Sequence, residues 1–233
     1  VHYPGVFSAL TRIGKPFFDR PPEGFASDAL LRRRGNLLFA LHGDAQAGKA
    51  FFERTRAAAP DTVEIDLDRA IEIVPVLRRE RIAACYYDPN NCEIDVDRLL
   101  QGYLKGVRAH GGETVTGTEL VRAERRDGVW RAQVGRQEVS TSIVVNAAGA
   151  WGDVVAERCG VAPLGLKPCR RTAITFDCGF DVRNWPAVDQ LGADFYFKPE
   201  AGLLMVSPGD ETPVAPCDAQ PEEYEVALAA HLM

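Results

Sequence analysis

The chain has 233 residues, of which 46% are hydrophobic, and this is enough to form the core of one large domain or two small ones. The formal net charge of −6 and the wide separation of the arginine clusters argue against a nucleic-acid-binding surface. The sequence has no signal-peptide pattern and no apolar run long enough to span a bilayer, so we expect no transmembrane segment.

The six cysteines and four histidines are scattered along the chain. No Cys-x-x-Cys motif occurs, and no histidine lies near another. This pattern predicts free thiols in a reducing compartment, and neither a disulfide framework nor a metal site. We therefore expect a cytoplasmic protein.

In the first half of the chain the apolar periodicity predicts alternating helices and strands. The predicted helices cover residues 6–18, 45–58, a short stretch from Asp66 to near Pro75, and 95–110, and the predicted strands cover residues 36–41 and 82–87. The helix at 95–110 has the strongest pattern, with an aspartate at its start and Gly111-Gly112 at its end.

The second half is predicted to be richer in strands. Short strands are expected at residues 114–121, 130–134 and 139–145, with a hairpin turn at Asp127-Gly128. A helix at 150–159 follows. Further strands are expected at 164–176, 185–191, 195–198 and 203–207, then a loop and a final helix from residue 222. This order fits a parallel-sheet nucleotide-binding unit interleaved with a mixed sheet.

A run of small residues connects the predicted strand at 143–145 to the following helix. Ala147, Ala148 and Gly149 leave room for a flat or charged group to approach the backbone, and the helix start offers unpaired N–H groups to a phosphate. Taken alone, small residues at such a turn more often indicate tight packing than a ligand.

Several motifs together resemble the FAD-dependent D-amino-acid oxidase and dehydrogenase superfamily, which includes glycine oxidase and sarcosine oxidase. Within that superfamily the bacterial D-arginine dehydrogenases are the most similar group. The motifs are Ile73-Val74-Pro75-Val76-Leu77-Arg78-Arg79, Tyr87-Asp88-Pro89, Gln101-Gly102-Tyr103-Leu104, Val145-Asn146-Ala147-Ala148-Gly149-Ala150-Trp151 and Pro163-Leu164-Gly165-Leu166-Lys167-Pro168. The resemblance covers residues 17–222.

The resemblance implies FAD as cofactor and an α/β fold of mixed α+β character. A partial Rossmann-like FAD-binding domain with a β-meander would be interleaved with a mixed-sheet substrate domain. The expected parts are a helical connection at 1–30, substrate domain at 31–92 and 163–233, and FAD-binding domain at 93–162. The family's Gly-x-Gly-x-x-Gly turn does not occur in this sequence, so we expect an internal fragment of a longer chain.

The resemblance also implies roles for individual residues. The backbone of Leu120 would hold the adenine of the cofactor, although its side chain fits an ordinary core position equally well. Ala147, Ala148, Gly149 and Trp151 would also line the cofactor. Arg171 would bind the substrate carboxylate, because alternation along a strand places it with Ala173 and Thr175, and Arg170 with the apolar residues. A surface arginine is the alternative for Arg171.

Tyr196 would donate a hydrogen bond to the same carboxylate, with a buried structural tyrosine as the alternative. Asn36 replaces a glutamate that faces the substrate guanidinium in D-arginine dehydrogenases, and Ala187 and Asp189 replace apolar residues of that pocket. Asp189 either supplies a negative charge from a new position or is an ordinary surface residue. No general acid or base is identified.

The implied reaction is hydride transfer from the Cα of a D-amino acid to the flavin, followed by hydrolysis of the imino acid to keto acid and ammonia. Two alternatives stay open: a glycine- or sarcosine-type amine oxidase, and an inactive binding or structural module. The sequence does not identify the electron acceptor. A quinone acceptor would imply attachment to the inner face of the membrane.

Overall fold

The computed structural model describes residues 6–193 and 195–233, without the side chains of Val6, Ser8 and Ala58. The first five residues of the predicted connection at 1–30 lie outside the described residues. The helices are α1 (Val6–Asp19), α2 (Ala45–Ala58), α3 (Leu67–Ile73), α4 (Val96–Ala109), α5 (Gly152–Arg158) and α6 (Glu223–Leu232). Short 3-10 turns occur at His42–Asp44, Arg79–Arg81 and Gly149–Trp151.

The described strands alternate with these helices and then dominate the second half of the chain. They are β1 (Leu31–Arg33), β2 (Asn36–Leu41), β3 (Val63–Ile65), β4 (Ile82–Asp88), β5 (Cys92–Ile94), β6 (Leu120–Arg126), β7 (Val129–Val134), β8 (Gln137–Thr141), β9 (Cys169–Arg170), β10 (Ile174–Phe176), β11 (Ala187–Leu191), β12 (Tyr196–Glu200), β13 (Leu203–Ser207) and β14 (Thr212–Pro213). The mixed α/β class predicted from the sequence is confirmed.

The chain divides into two compact, interleaved units. Unit 1 comprises the chain up to Gly112, Arg171–Asp210 and Pro221–Met233, and unit 2 comprises Glu113–Arg170 and Glu211–Gln220. Helix α4, which the predicted boundaries assign to the FAD-binding part, is in unit 1. The predicted domain boundaries themselves stay a prediction.

Unit 1 is built on a seven-stranded mixed sheet with the order β10-β13-β12-β11-β2-β4-β3. The β2–β11 pair is parallel and its other pairs are antiparallel. One face carries the main core, in which Phe39, Val188 and Phe197 pack with residues of α3 and α6. On the other face α2 covers one region through Phe52, whose ring stacks on Tyr86 at 4.5 Å.

Asp66 and Asp95, two of the aspartates predicted at helix starts, act as N-caps, whereas Asp44, predicted to cap α2, makes no side-chain cap hydrogen bond. The Asp66 carboxylate accepts from the backbone N of Arg69 at 2.7 Å, and that of Asp95 from the backbone N of Arg98 at 2.8 Å. These bonds satisfy amide groups that have no partner within the helix, which explains why α3 and α4 begin where the sequence indicates.

Unit 2 contains the three-stranded antiparallel meander β6-β7-β8. Its first hairpin turns at Asp127 and Gly128, with φ of 51° and 80°, so both central residues adopt the left-handed region that a two-residue hairpin turn requires. The predicted Asp-Gly hairpin is confirmed, although its first strand begins at Leu120 instead of residue 114.

Two predictions of local structure are wrong, and four short strands were not predicted. Residues 143–145 form no strand, and Ile143 and Val145 are 70% and 80% exposed, because no described strand pairs with them. The long strand expected at 164–176 is two short ones, β9 and β10, which belong to different sheets. The short strands β1, β3, β5 and β14 were not predicted, since each has only two or three residues and too little pattern.

All six cysteines are free thiols. Among residues 6–193 and 195–233, no group of three or more His, Cys, Asp or Glu side chains is arranged to hold a metal ion. Within the same residues no helix has both the length and the apolar character needed to cross a membrane.

Candidate functional site

Most of the predicted substrate-binding residues lie on the sheet face opposite the main core, in the part that α2 does not cover. Cross-strand pairing sets Ala187 beside Asn36 on β2, and Asp189 opposite Tyr196 on β12. Tyr196 in turn lies opposite Ser207 on β13. Because paired residues project on the same side of a sheet, these polar residues share one face.

The position of Asn36 depends on the glycine before it. Gly35 has a φ of 79°, and a Cβ there would overlap the hydroxyl of Tyr87. Its backbone accepts from the N of Ala187 at 3.2 Å, which fixes the start of β2 against β11. A residue other than glycine would therefore displace Asn36 and Ala187 together.

Asp189 is a largely buried carboxylate within this face. The side-chain amide of Asn36 donates a hydrogen bond to it. Burial raises the pKa of Asp189 because it penalises the charged form, and the hydrogen bond from Asn36 opposes that effect without cancelling it. The residue is partly exposed by surface area, and its role toward a substrate stays a prediction.

Because side chains alternate between the two faces along β12, Tyr196 lies on the opposite sheet face from Phe195 and Phe197. Phe195 and Phe197 are 3% exposed and belong to the main core, with their ring centroids 6.1 Å apart. Tyr196 is partly exposed on the other face. Its placement is that expected from the sequence, and its role toward a carboxylate stays a prediction.

Arg171 begins the segment that leads into β10. Along this segment exposure alternates, with Arg171, Ala173 and Thr175 exposed and Thr172 buried. This is the alternation that the sequence predicts, although residues 171–173 are not part of a strand.

Thr172 fixes the backbone next to Arg171. Its N–H and hydroxyl donate to the two carboxylate oxygens of Asp210, at 2.7 and 3.0 Å. Its carbonyl accepts from the Ser207 hydroxyl at 2.6 Å. Sequence reasoning missed this network, since partners 35 and 38 residues apart leave no local signal.

The predicted cofactor residues lie in unit 2. Asn146 organises their turn: its Oδ1 accepts from the backbone N of Ala148 at 3.3 Å, and its Nδ2 donates to the carbonyl of Gly152 at 2.8 Å. Gly149 has a φ of 56° and open space where a Cβ would lie. Ala147 and Trp151 are exposed, and Ala148 is partly exposed.

Leu120 opens β6 and lies opposite Val134. Its carbonyl accepts from the Arg158 guanidinium at 2.8 Å, and the same guanidinium pairs with Glu119. The guanidinium thus links α5 to the start of β6, where the resemblance expects the backbone to hold the adenine.

A second motif, around Leu164 and Leu166, is held by α5. The Asp153 carboxylate accepts from the backbone N of Leu164 at 2.9 Å and of Leu166 at 2.7 Å. Gly165 between them has a φ of 77°, which lets both amides turn toward one acid. The Asp153 carboxylate therefore fixes the backbone of this motif against α5 within unit 2.

These residues fit part of an FAD site. The small side chains at 147 to 149 and the space beside Gly149 leave the backbone accessible to a flat ring or a sugar, as the cofactor requires. The glycine-rich turn that would bind the pyrophosphate is not in the sequence. That unit 2 would hold one side of the cofactor stays a prediction.

A cavity of about 590 Å³ lies on the core face of the sheet in unit 1. Phe39, Val76, Phe195 and Phe197 line it, with Arg78 and His231 among its polar residues. None of the predicted substrate residues contributes to it. It is separate from the polar face that carries Asn36, Asp189 and Tyr196.

Comparison with known proteins identifies the family. The sequence model for DAO, the FAD dependent oxidoreductases, matches residues 4–232. The chain therefore belongs to the FAD-dependent oxidoreductase family, and its cofactor is FAD. This establishes the class that the motifs indicated.

Individual relatives cover a wider range of substrates. The chain is 25% identical over 160 residues to mitochondrial dimethylglycine dehydrogenase from Mus musculus, covering 66% of this chain and 18% of that protein. It is 26% identical over 164 residues to glycerol-3-phosphate dehydrogenase 1 from Mycobacterium tuberculosis, covering 66% of this chain and 26% of that protein. The matched part of the chain thus spans between 18% and 26% of the length of these relatives.

Solved structures share the fold. The L-proline dehydrogenase from P. horikoshii superposes with a TM-score of 0.77 at 18% identity, covering 96% of this chain and 60% of that one. The glycine oxidase from Geobacillus kaustophilus gives 0.76 at 17% identity, covering 99% and 62%. These proteins do not single out the D-arginine dehydrogenases, so that finer resemblance stays a prediction.

Proposed function

We propose that the enzyme containing this chain oxidises an amino acid, and specifically a D-amino acid, at its Cα–N bond. The observation that carries the proposal is the polar face of unit 1, where Asn36, Asp189 and Tyr196 lie side by side on three neighbouring strands. This face presents a few polar groups beside the apolar residues under α2, which is the usual composition of a small-molecule site.

The roles of the residues follow from their chemistry. Arg171 binds the substrate carboxylate, because a planar guanidinium can donate two parallel hydrogen bonds to the two carboxylate oxygens. Tyr196 donates a further hydrogen bond to the carboxylate. Thr172 and Asp210 hold the backbone that carries Arg171. Together these groups orient the substrate so that its Cα–H is presented for transfer.

When bound, FAD would supply the acceptor for the hydride that leaves Cα. Ala147, Ala148, Gly149, Trp151 and Leu120 would hold it from unit 2. The resulting imino acid is hydrolysed to keto acid and ammonia. No side chain is assigned as an acid or base, since the cofactor accounts for the difficult step and the protein for orientation.

A second candidate function is oxidation of a secondary or achiral amine. The names of the relatives favour it, since they include dimethylglycine dehydrogenase and glycine oxidase. Such substrates also carry a carboxylate, so Arg171 and Tyr196 would serve them equally. The two candidates differ in whether the enzyme distinguishes the enantiomers of a chiral amino acid.

The deciding experiment uses the full-length, FAD-loaded enzyme under anaerobic conditions. Flavin bleaching is followed with matched D- and L-amino acids, glycine, sarcosine and dimethylglycine. Faster bleaching by D-amino acids supports the proposal, and preference for sarcosine or dimethylglycine supports the second candidate. A flavin that none of these reduces would indicate the binding or structural module.

Cellular location and electron acceptor belong to the same proposal. We place the enzyme in the cytoplasm, with attachment to the inner face of the membrane if it reduces a quinone. Oxygen consumption during turnover, compared with reduction of a soluble quinone, separates an oxidase from a dehydrogenase.

A further inference from the structure

The cavity of about 590 Å³ in unit 1 combines a buried apolar floor with an exposed basic rim. Its floor is formed by Phe39, Phe195 and Phe197, which are at most 7% exposed. Its rim carries Arg78 and Arg81, which are both exposed. None of the described residues that line the cavity is an aspartate or a glutamate. Its lining therefore offers apolar contacts and positive charge, with no negative charge to oppose an anion.

A short turn places the two arginines at the rim. The backbone N of Arg81 donates to the carbonyl of Arg78 at 3.0 Å, and Arg79–Arg81 forms a 3-10 turn. Because side chains three residues apart eclipse in such a turn, Arg78 and Arg81 project to the same side. Arg79 projects elsewhere and pairs with Asp68. The turn thus directs two of its three arginines to the cavity.

The charges of Arg78 and Arg81 have no partner in the part of the chain that the structure describes. Neither guanidinium makes a hydrogen bond or an ion pair with a described residue. Two like charges on one side of a turn repel each other, and an anion placed between them relieves that repulsion. A guanidinium also donates two parallel hydrogen bonds to a carboxylate.

Two further polar side chains line the cavity. Gln190 on β11 lies opposite Phe39 and is partly exposed, and its side-chain amide makes no hydrogen bond with a described residue. His231 on α6 is exposed. The few polar groups around an apolar interior match the usual composition of a small-molecule site, and the volume lies within its usual range of about 300–1,000 Å³.

We propose that this cavity binds a small amphipathic anion, a carboxylate with an unbranched apolar chain. The chain packs on Phe39, Phe195 and Phe197, and the carboxylate accepts hydrogen bonds from Arg78 and Arg81. At the roughly 30 Å³ that one water molecule occupies in the liquid, the cavity volume corresponds to about 20 non-hydrogen atoms. A carboxylic acid of fatty-acid length has this size.

The cavity and the predicted substrate residues lie on opposite faces of the same strands. On β11, Gln190 lines the cavity while its neighbour Asp189 lies on the polar face. On β12, Phe197 lines the cavity while Tyr196 lies on the polar face. Side chains that alternate in this way share no ligand. The inference therefore does not depend on the proposed function.

The test measures binding of decanoate to the full-length, FAD-loaded enzyme by calorimetry, with every probe below its micelle-forming concentration. Decanol and decyltrimethylammonium have the same chain with a neutral and a positive head group. We expect saturable binding of a single decanoate, at least about tenfold tighter than that of either other probe. The double variant Arg78→Gln/Arg81→Gln should reduce the affinity for decanoate to that for decanol. Equal affinities for the three probes, or no binding of decanoate, overturn the site.

Three further variants locate the bound decanoate. Arg79→Gln removes a charge from the same turn but not from the cavity, so it should leave the affinity unchanged. Ala230→Trp fills the cavity from an exposed position of α6 and should abolish binding. Arg171→Ala should retain it. Binding that is lost in Arg171→Ala and kept in Arg78→Gln/Arg81→Gln would place decanoate in the proposed substrate site and contradict the inference.

Discussion

The Asp210 carboxylate accepts two hydrogen bonds from Thr172, at 2.7 Å from the backbone N and 3.0 Å from the hydroxyl. Thr172 is 3% exposed, so neither donor can turn to water when the acid is removed. The adjacent Arg171 projects to the exposed side of the same segment. The pair therefore links the stability of unit 1 to the position of the proposed carboxylate-binding residue.

Asp210→Ala should lower the free energy of unfolding by about 1–3 kcal/mol, because two buried donors lose their acceptor. It should also raise KM more than it lowers kcat, since the Arg171 backbone is loosened while the groups around Cα are unchanged. Denaturant unfolding and steady-state kinetics measure the two effects. Asp218→Ala, which removes an exposed acid, is the control. A stable variant with normal KM would exclude a positioning role for Asp210.

Arg171→Ala should weaken substrate binding by about 2–4 kcal/mol, the cost of removing one partner of a charge-assisted pair. This corresponds to a loss in kcat/KM of about 30- to 700-fold. Arg183→Ala is the matched control, because Arg183 is an exposed arginine of unit 1 that pairs with Asp181 at 2.7 Å. Equal kinetics for the Arg171 variant and the wild type would show that Arg171 does not bind the substrate carboxylate.

The elements with a strong local signal were predictable. β2 and α2 have the predicted bounds, since each combines an apolar pattern with a clear boundary. The sequence also predicted that Tyr196 lies on the opposite face of its strand from Phe195 and Phe197. Residues 143–145 have the composition of a buried strand, yet they form none, because a strand also requires a neighbour to pair with.

The site was predictable only in part. The face shared by Asn36, Ala187, Asp189 and Tyr196 depends on the register between β2, β11 and β12, which local sequence does not encode. These residues were predicted from the resemblance, whereas the hydrogen bond between Asn36 and Asp189 is seen only in the structure. The Thr172–Asp210 pair had no sequence signal at all.

Cys85 should resist alkylation while Cys169 and Cys217 react. Burial raises the pKa of the Cys85 thiol to about 11, and the residue is 2% exposed in the main core. At about pH 8 only roughly one Cys85 in a thousand is the reactive thiolate. Iodoacetamide labelling followed by peptide mass spectrometry measures this, with urea-unfolded protein as the control. Rapid labelling of Cys85 in the folded protein would contradict its burial.

Asp189→Asn should stabilise the ligand-free protein at neutral pH. Because the pKa of Asp189 is raised in the folded state, the folded protein holds its proton to a higher pH than the unfolded chain does. Stability is therefore lost as the pH rises from the ordinary aspartate pKa through the raised one, and the asparagine variant avoids this loss. Thermal unfolding should show a higher Tm for the variant near neutrality and a shrinking difference toward acid pH. A variant less stable than the wild type at every pH would show that Asp189 has a structural role instead.

Two glycines of α4 should respond to alanine in opposite directions. A Cβ on Gly102 would overlap the ring of Phe25, which is packed edge-on against Phe17 and Tyr103 with centroids 5.0 and 5.1 Å away. Gly106, one turn later, has nothing within 4 Å of its Cβ position. Gly102→Ala should therefore lower the free energy of unfolding by about 1–3 kcal/mol through overpacking.

Gly106→Ala should instead raise the free energy of unfolding by up to about 1 kcal/mol, because alanine is the better helix former and meets no neighbour. Urea unfolding of both variants beside the wild type measures the difference, and each serves as the control for the other. Stabilisation by both substitutions would mean that the Phe25 ring moves aside at little cost. In that case Gly102, within the Gln101-Gly102-Tyr103-Leu104 motif, would not be required for the packing of α4 against the aromatic cluster.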